Sequence, residues 1–489
     1  MANRIKLTPV FCAAVGAAVG FYRFGALMPP QSAAALTPVF VLLTAHCLFR
    51  VLASLNKESR FLQLSAVCSA AIAAGFVLGI CAADAGKNTV KLSLPEEKII
   101  AIEGELLEDP RIISGGKAMA ALSLSRCAAS GGLRASAQGE VTVFFPQENA
   151  LTLREFGRGT KVFSEGKFSN SKTGLVYSAK SMHVVKSAPA IERMRTGVRL
   201  NLISRFDGKP WGGLALALLL GIKDNLDSNL SAMYRDAGCS YILALSGMHL
   251  AVLAALIAFL LKRPLGLKAA SIAGALIICL YCFIVGPMPS LNRAALMYLL
   301  GVVAVLGALP KEPMSILSLS FLIQLVITPS AGNSLSFILS YLALAGILVI
   351  GQPLYRLFCG KAPDFLLQPL SASCGAFLAT AGVSGFAFGV LAPVGIAVGL
   401  VLVPLTTVFM IGSMIWLVLD LIHLSGILSF PLSLLYRLME GIVSASGSAP
   451  GLSAWPLAIL SLSIALSLLI AVFEYRRRAA LVRQQPFPC

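Results

Sequence analysis

Charged residues are scarce in this 489-residue chain. Asp, Glu, Lys and Arg make up 12% of the residues, whereas hydrophobic residues make up 57% and the mean hydropathy is +0.83. A typical soluble domain has a charged fraction of about 25%. The composition therefore excludes an ordinary soluble protein and predicts a polytopic α-helical membrane protein.

Histidine is also scarce, and the four histidines are too far apart for a metal site. They have neither HxxxH nor HxHxD spacing: His46, His183, His249 and His423. No Gly-rich loop ends in Gly-Lys-Ser/Thr, the signature of a phosphate-binding loop. We therefore expect no metal, no cofactor and no nucleotide-driven transport by this chain itself.

The basic residues indicate how the chain crosses the membrane. The net charge is +17, and Lys and Arg precede the first apolar run, follow the second and are dense in the tail at 476–489. The positive-inside rule places these segments, and both termini, in the cytoplasm. We expect about twelve spans, or about ten if two runs are re-entrant. The apolar runs lie near 7–27, 33–54, 61–83, 236–261, 268–287, 290–309, 314–328, 334–355, 367–390, 392–420, 425–445 and 452–473.

Residues 84–190 have a different pattern, with alternating apolar and polar residues between Gly- and Ser-rich turns. This pattern predicts about five β-strands: IIAIEGELLEDP, MAALSLSRCA, GEVTVFFP, TKVFSEGKF and GLVYSAKSMHVV. Glycines inside the first and fourth strands favour a small OB-like β-barrel. Because the segment follows three spans (1–83), we expect it on the extracytoplasmic side.

The next segment, 191–212, is predicted to be an amphipathic helix at the membrane surface. Its basic residues alternate with apolar ones and are candidates for contact with DNA or with lipid headgroups: Arg193, Arg195, Arg199 and Arg205. The pattern leaves both partners open. Residues 213–475 then form the predicted helix bundle, beginning with the short apolar helix GLALALLLGI.

The run at 236–261, DAGCSYILALSGMHLAVLAALIAFLL, is long enough to enter a bilayer, yet its first half is polar. We interpret it as one inward-going helix on which Ser246 and His249 share a face. A serine beside a base is also the pattern of a hydrolase. We favour a path-lining or helix-packing role, because a pair on one helix seldom aligns for attack.

Arg293 and Ser340 are further polar residues in apolar runs. A guanidinium inside a membrane must be paired or hydrated, so Arg293 is expected either to extend to the outer interface or to meet a phosphate in a water-filled path. Ser340 and its neighbour Tyr341 are expected to hydrogen-bond a helix backbone.

Several motifs together resemble the ComEC family of competence proteins. LLLGIKDNLD followed by YRDAGCSYILALSGMHLAVL is similar to the family signature, and MPSLNRAALM, FILSYLALAGI and the Pro404 helix occur in the family's order. Three helices and an OB-like external domain precede them, as in that family. The resemblance implies a non-enzymatic inner-membrane channel that imports single-stranded DNA during natural transformation.

The resemblance also implies site residues and partners. The pore or DNA path would be lined by Ser246, Gly247, His249, Arg293 and Ser340. The partners would be single-stranded DNA, the lipid bilayer, and a separate nuclease, DNA receptor and cytoplasmic motor, with homo-oligomers possible. A separate nuclease is expected because we find no C-terminal metallo-β-lactamase-like domain of the kind many members carry.

Departures from the family pattern keep two other functions open. Tyr241, Ser334, Ser336, Ile338 and Gly399 stand where the family usually has other residues, and most of these changes remove a polar group. One alternative is a transporter or envelope-assembly protein that moves another anionic or amphiphilic solute. The other is an intramembrane hydrolase that uses Ser246 and His249.

Overall fold

The computed structural model describes residues 9–25, 60–85, 90–113, 116–129, 133–171, 174–446 and 452–453. The chain forms two compact units. Unit 1 comprises Met1–Lys87, Asn229–Ala275 and Pro289–Cys489, and unit 2 comprises Asn88–Ser228 and Leu276–Met288. The apolar run predicted at 33–54, almost all of the run at 452–473, and the tail lie outside the described residues.

Unit 1 begins with two closely packed helices. Helix α1 (Pro9–Val19) continues into a π-helical turn (Gly20–Gly25), and α2 is Arg60–Ala85. Gly16 of α1 lies on the backbone of Ile72, and Gly75 of α2 lies on the backbone of Ala13, with no room for a side chain at either glycine. Small residues let membrane helices approach this closely, because association there depends on packing.

Unit 2 contains the β-sheet domain. Its strands are β1 (Lys91–Leu92), β2 (Ile99–Leu106), β3 (Arg111–Ile112), β4 (Ala118–Ala129), β5 (Arg134–Gln138), β6 (Glu140–Phe145), β7 (Lys161–Ser171) and β8 (Gly174–Lys186). Helix α3 (Gln147–Glu155) connects β6 to β7. The five predicted strands are confirmed as β2, β4, β6, β7 and β8, whereas three short strands and α3 were not predicted.

Each of the five long strands pairs with two others of the set. The pairs β2–β4, β2–β7, β7–β8 and β4–β6 are antiparallel, and β6–β8 is parallel. Register shifts occur at Gly104 in β2 and at Gly166 in β7, the two glycines noted in the sequence. Such irregularities bend a strand and increase its twist.

Alternate side chains of these strands form the core of unit 2. Ile102, Leu122, Val143 and Val162 are fully buried, as the alternating pattern requires. Tyr177 is also buried, and its hydroxyl donates to the carbonyls of Ile100 and Ser164 at 3.2 and 3.1 Å. The core thus joins β8 to β2 and β7 through a satisfied phenol.

Two helices complete the first segment of unit 2. Helix α4 (Ala190–Phe206) corresponds to the predicted 191–212 helix but ends sooner. Helix α5 (Gly212–Leu220) confirms the predicted short apolar helix, and it ends at Gly221, whose φ of 70° is the left-handed conformation that glycine adopts freely.

The remaining elements belong mainly to unit 1. In chain order they are α6 (Ser228–Asp236), α7 (Ser240–Leu243), α8 (Gly247–Val285), α9 (Pro289–Leu306), α10 (Pro313–Ile327), a 3₁₀ turn (Pro329–Asn333), α11 (Leu335–Gly346), a π turn (Ile347–Gly351), α12 (Gln352–Phe358), α13 (Asp364–Phe388), β9 (Val390–Leu391), α14 (Val394–Leu421), α15 (Gly426–Ser446) and β10 (Leu452–Ser453). Gly395 of α14 lies on the backbone of Gly238, before α7.

The single helix predicted over 236–261 is wrong. The chain turns at Gly238, whose φ is 70°, forms only the short α7, and leaves the helical conformation at Ala244. Helix α8 starts at Gly247, so Ser240 and Tyr241 precede the helix that carries His249. The physical reason is local hydrogen bonding at Ser246, which forms a helix start within an apolar run.

Helix α8 is too long for one membrane crossing. At 39 residues it would be about 58 Å long if straight, roughly twice the hydrocarbon thickness of a bilayer. Gly266, with φ 74° and ψ 172°, interrupts it two residues after Pro264. The interruption separates the apolar runs predicted at 236–261 and 268–287.

Within the described residues, seven helices are long and apolar enough to cross a membrane: Val67–Ala85, Gly247–Val285, Pro289–Leu306, Leu335–Phe358, Asp364–Phe388, Val394–Leu421 and Gly426–Ser446. Pro9–Tyr22 and Pro313–Ile327 are shorter apolar helices. The chain is therefore a mostly helical, multi-pass membrane protein with a β-sheet domain.

Candidate functional site

The candidate site in unit 1 is centred on Arg293, one turn into α9. Its side chain is buried, with 7% of the residue exposed. The guanidinium donates a hydrogen bond to the Ser340 hydroxyl of α11 and lies over the Tyr341 ring, 5.5 Å from its centroid. These contacts hold a positive charge inside an apolar helix bundle, where it needs polar partners.

Helix α10 extends this polar group. The Tyr341 hydroxyl donates to Oε1 of Gln324 at 3.0 Å and lies 3.3 Å from the hydroxyl of Ser320. Gln324 and Ser320 are both buried. Side chains from α9, α10 and α11 thus form one connected polar network in the interior of unit 1, which we call the Arg293 network: Arg293, Ser320, Gln324, Ser340 and Tyr341.

This network corrects the expected role of Ser340 and Tyr341. Both were predicted to bond a helix backbone, but they bond the side chains of Arg293 and Gln324. Gln324 and Ser320 were not predicted, although a glutamine within the apolar run SFLIQLVI is a signal that sequence reasoning overlooked. A buried amide in such a run requires a polar partner.

The start of α8 lies beside the Arg293 network at Gly247. A Cβ atom at this position would lie 3.3 Å from a terminal nitrogen of Arg293. Three of the residues implied by the family resemblance, Gly247, Arg293 and Ser340, therefore meet in space. Among the described residues, the buried Nε atom of Arg293 has no hydrogen-bond partner, which leaves one donor for an acceptor.

Ser246 and His249 form the cap of α8. His249 is buried, and its Nδ1 accepts the backbone N–H of Ser246 at 3.0 Å and lies 3.2 Å from the Ser246 hydroxyl oxygen. That oxygen also accepts the backbone N–H of Met248 at 3.3 Å. Both side chains thus satisfy donors at the helix start, and the Nδ1 lone pair is already used by a backbone amide. This geometry favours capping over a nucleophile and base.

The arginines of α4 are divided between two faces. Arg195 is almost completely buried, where it pairs with Asp109 and with Glu192, at 3.1 Å for the latter. Arg199 lies 3.4 Å from the Asp109 carboxylate. The expectation that all four arginines are available to DNA or lipid is therefore wrong for Arg195 and Arg199, because Asp109 draws them inward.

These two arginines also bind the end of α8. Arg195 Nε donates to the carbonyl of Phe283 at 2.8 Å, and Arg199 donates to the carbonyls of Ile284, at 3.2 Å, and Val285. The last carbonyls of a helix lack partners within it and carry partial negative charge. The two guanidinium groups supply the missing donors.

Asp109 lies at the centre of this cluster of charged groups. Desolvation alone would raise the pKa of Asp109, but Arg199 and Arg195 outweigh it and hold the pKa below its usual range. Burial opposes the charge on Arg195, yet Asp109 and Glu192 raise its pKa. Arg158 donates to Glu192 at 2.9 Å and, through its backbone, to Asp109 at 3.2 Å. Ion pairs thus join three arginines, Arg158, Arg195 and Arg199, to the two carboxylates of Asp109 and Glu192.

Arg193 and Arg205 remain at the surface of α4. Arg193 is exposed and Arg205 is half-buried, with its Nε donating to Asn201 at 2.9 Å. Their binding to DNA or lipid stays a prediction.

Comparison with known proteins agrees with the motifs. A family model described as Competence protein matches residues 218–478. ComE operon protein 3 of Bacillus subtilis (strain 168) is 32% identical over 138 residues, which cover 26% of this chain and 17% of that protein. The matched region thus spans less than a fifth of that relative. Because the family match covers more than half of the sequence and includes Arg293 and the α8 start, the chain belongs to the ComEC family of competence proteins.

Proposed function

We propose that this protein is a channel that carries single-stranded DNA across the inner membrane during natural transformation. Family membership supports a role in DNA uptake, and the observation that carries the channel proposal is the Arg293 network. A guanidinium that bonds a hydroxyl and lies over an aromatic ring, with one donor that no described residue accepts, is suited to a phosphate. A passing DNA backbone presents one phosphate per nucleotide.

The strand pairing of unit 2 supports a second part of the proposal. Strand β2 pairs with β4, β4 with β6, β6 with β8, β8 with β7, and β7 with β2. Helix α3 lies between β6 and β7 in the chain. We propose that they close an OB-like barrel on the extracytoplasmic side. Such barrels bind single strands through a basic groove and stacked bases, without reading sequence.

The test is DNA entry in a strain whose only copy carries Arg293→Gln. We expect labelled DNA to bind the cell surface normally but not to reach the cytoplasm, because glutamine keeps hydrogen bonding and removes the charge. Arg293→Lys should retain part of the entry, since the charge remains without the forked donor geometry. The matched control is Ser413→Ala, which removes a buried hydroxyl that donates to the Phe409 carbonyl of its own helix.

Normal DNA entry in the Arg293→Gln strain, with the protein present at wild-type abundance, would contradict the proposal. An envelope or growth defect with normal transformation would favour transport of another anionic or amphiphilic solute.

A further inference from the structure

Helix α4 has an exposed apolar face that the DNA channel does not explain. Ile191, Met194 and Val198 are 60%, 67% and 39% exposed. Their spacing of three and four residues places them on one side of the helix, and Arg205 follows two turns later on that side. We call this set the α4 outer face: Ile191, Met194, Val198 and Arg205.

The opposite side of α4 binds the end of α8, a candidate membrane-spanning helix. Arg195 and Arg199 bind the carbonyls of Phe283, Ile284 and Val285, the last residues of α8. Helix α8 is among the candidate spans, and near this end Leu276 and Leu280 are 68% and 58% exposed. A spanning helix ends where the hydrocarbon gives way to headgroups. A helix that caps this end therefore lies at headgroup depth.

From this geometry we propose that α4 is an interfacial helix whose outer face docks on the headgroup and upper acyl region of the bilayer. Apolar side chains at this depth are removed from water, while Arg205 and the exposed Arg193 reach lipid phosphates with their long stems. The complementary partner is a lipid surface with anionic headgroups.

The distribution of the arginines favours lipid over DNA for this helix. A helix that binds a nucleic acid backbone presents its cations outward to phosphates. In α4, Arg195 and Arg199 point inward to Asp109, and the outward residues between Arg193 and Arg205 include large apolar side chains. Burying these against DNA would leave them beside charged phosphates.

The test places a photo-crosslinking residue, p-benzoylphenylalanine, at Met194 of the full chain reconstituted in nanodiscs that contain labelled phosphatidylglycerol and phosphatidylcholine. The matched control carries the same residue at Lys180, an exposed position on β8. Irradiation is carried out with and without labelled single-stranded DNA. We expect a several-fold excess of lipid adduct at position 194 over position 180, unchanged by DNA.

Two outcomes overturn the proposal. One is DNA adduct in place of lipid adduct at position 194, and the other is lipid adduct no greater than at position 180. A second labelled position, Val198, guards against a local defect at Met194, and an unchanged thermal melt confirms that each variant is folded. Arg205→Glu is expected to lower the yield with phosphatidylglycerol more than with phosphatidylcholine.

Discussion

Arg195 and Arg293 are both buried guanidinium groups, but their surroundings give them different roles. Arg195 is bound by two carboxylates, Asp109 and Glu192, and by a helix-end carbonyl. Arg293 contacts a hydroxyl and an aromatic face, and no residue that the structure describes accepts a hydrogen bond from its Nε. A neutralised cation holds structure together, whereas a cation with spare donors attracts an anion.

Asp109→Asn tests the structural role of the first cluster. We expect the variant to lose about 3–5 kcal/mol of stability in unit 2, because Arg195 and Arg199 would stay buried without their shared counter-charge. Hydrogen exchange of β2 and α4 in the intact, solubilised chain measures the loss. The control is Glu108→Gln, whose pair with the half-exposed Arg111 is worth less than about 1 kcal/mol. Equal effects in the two variants would refute the structural role.

The same cluster predicts how the stability of unit 2 depends on pH. The pKa of Asp109 is lower in the folded protein than in the unfolded chain, where it is about 3.9. Its contribution is therefore complete above about pH 4 and is lost as the pH falls through the folded pKa. Acid unfolding followed by hydrogen exchange should show this loss in the wild type. The Asp109→Asn variant should lack this component of the pH dependence.

At the scale of elements, the sequence predicted the features that are set by residues close together in the chain. The strands of unit 2 were found because alternate burial gives a period of two, as at Ile102 and Val143. The start of α8 was missed because it depends on hydrogen bonds between Ser246 and His249. The Asp109–Arg195 pair joins residues 86 positions apart, and a sequence pattern carries no signal for such a contact.

Helix packing in unit 1 gives a prediction at this scale. Gly75→Leu is expected to separate α1 from α2 and to lower the thermal stability of the purified chain, since a side chain would meet the Ala13 backbone. The control is Gly301→Ala in α9, where a Cβ atom meets nothing within 4 Å. That change should be neutral or stabilising by up to about 1 kcal/mol. An unchanged melting temperature for Gly75→Leu would show that the close approach is not needed.

On the scale of the whole molecule, the spacing of residues in the sequence does not predict that Gly247, Arg293 and Ser340 lie close together. These residues lie on three helices, and only the family resemblance grouped them. Gln324 joins them from a fourth helix through Tyr341. The number and order of apolar runs predicted the membrane class, while the polar network depends on which helix faces meet.

The proposed channel predicts salt-dependent binding of single-stranded DNA by the full chain in nanodiscs. We expect log affinity to fall linearly with log salt, with a slope of about −0.7 for each phosphate neutralised. Fluorescence anisotropy with a labelled oligonucleotide measures this slope, and a neutral backbone analogue of the same sequence is the control. Equal binding of the two oligonucleotides would exclude a phosphate-directed path.

Unit 2 is assembled from two separate lengths of chain, Asn88–Ser228 and Leu276–Met288. A fragment cut at the predicted limits of 84 and 190 would keep Asp109 but discard both Arg195 and the α8 end that Arg195 binds. Excision would therefore expose the surface around Asp109 that α4 and the end of α8 cover in the intact chain. A soluble version of this domain therefore requires a fusion in which a linker joins Leu276–Met288 to Asn88–Ser228.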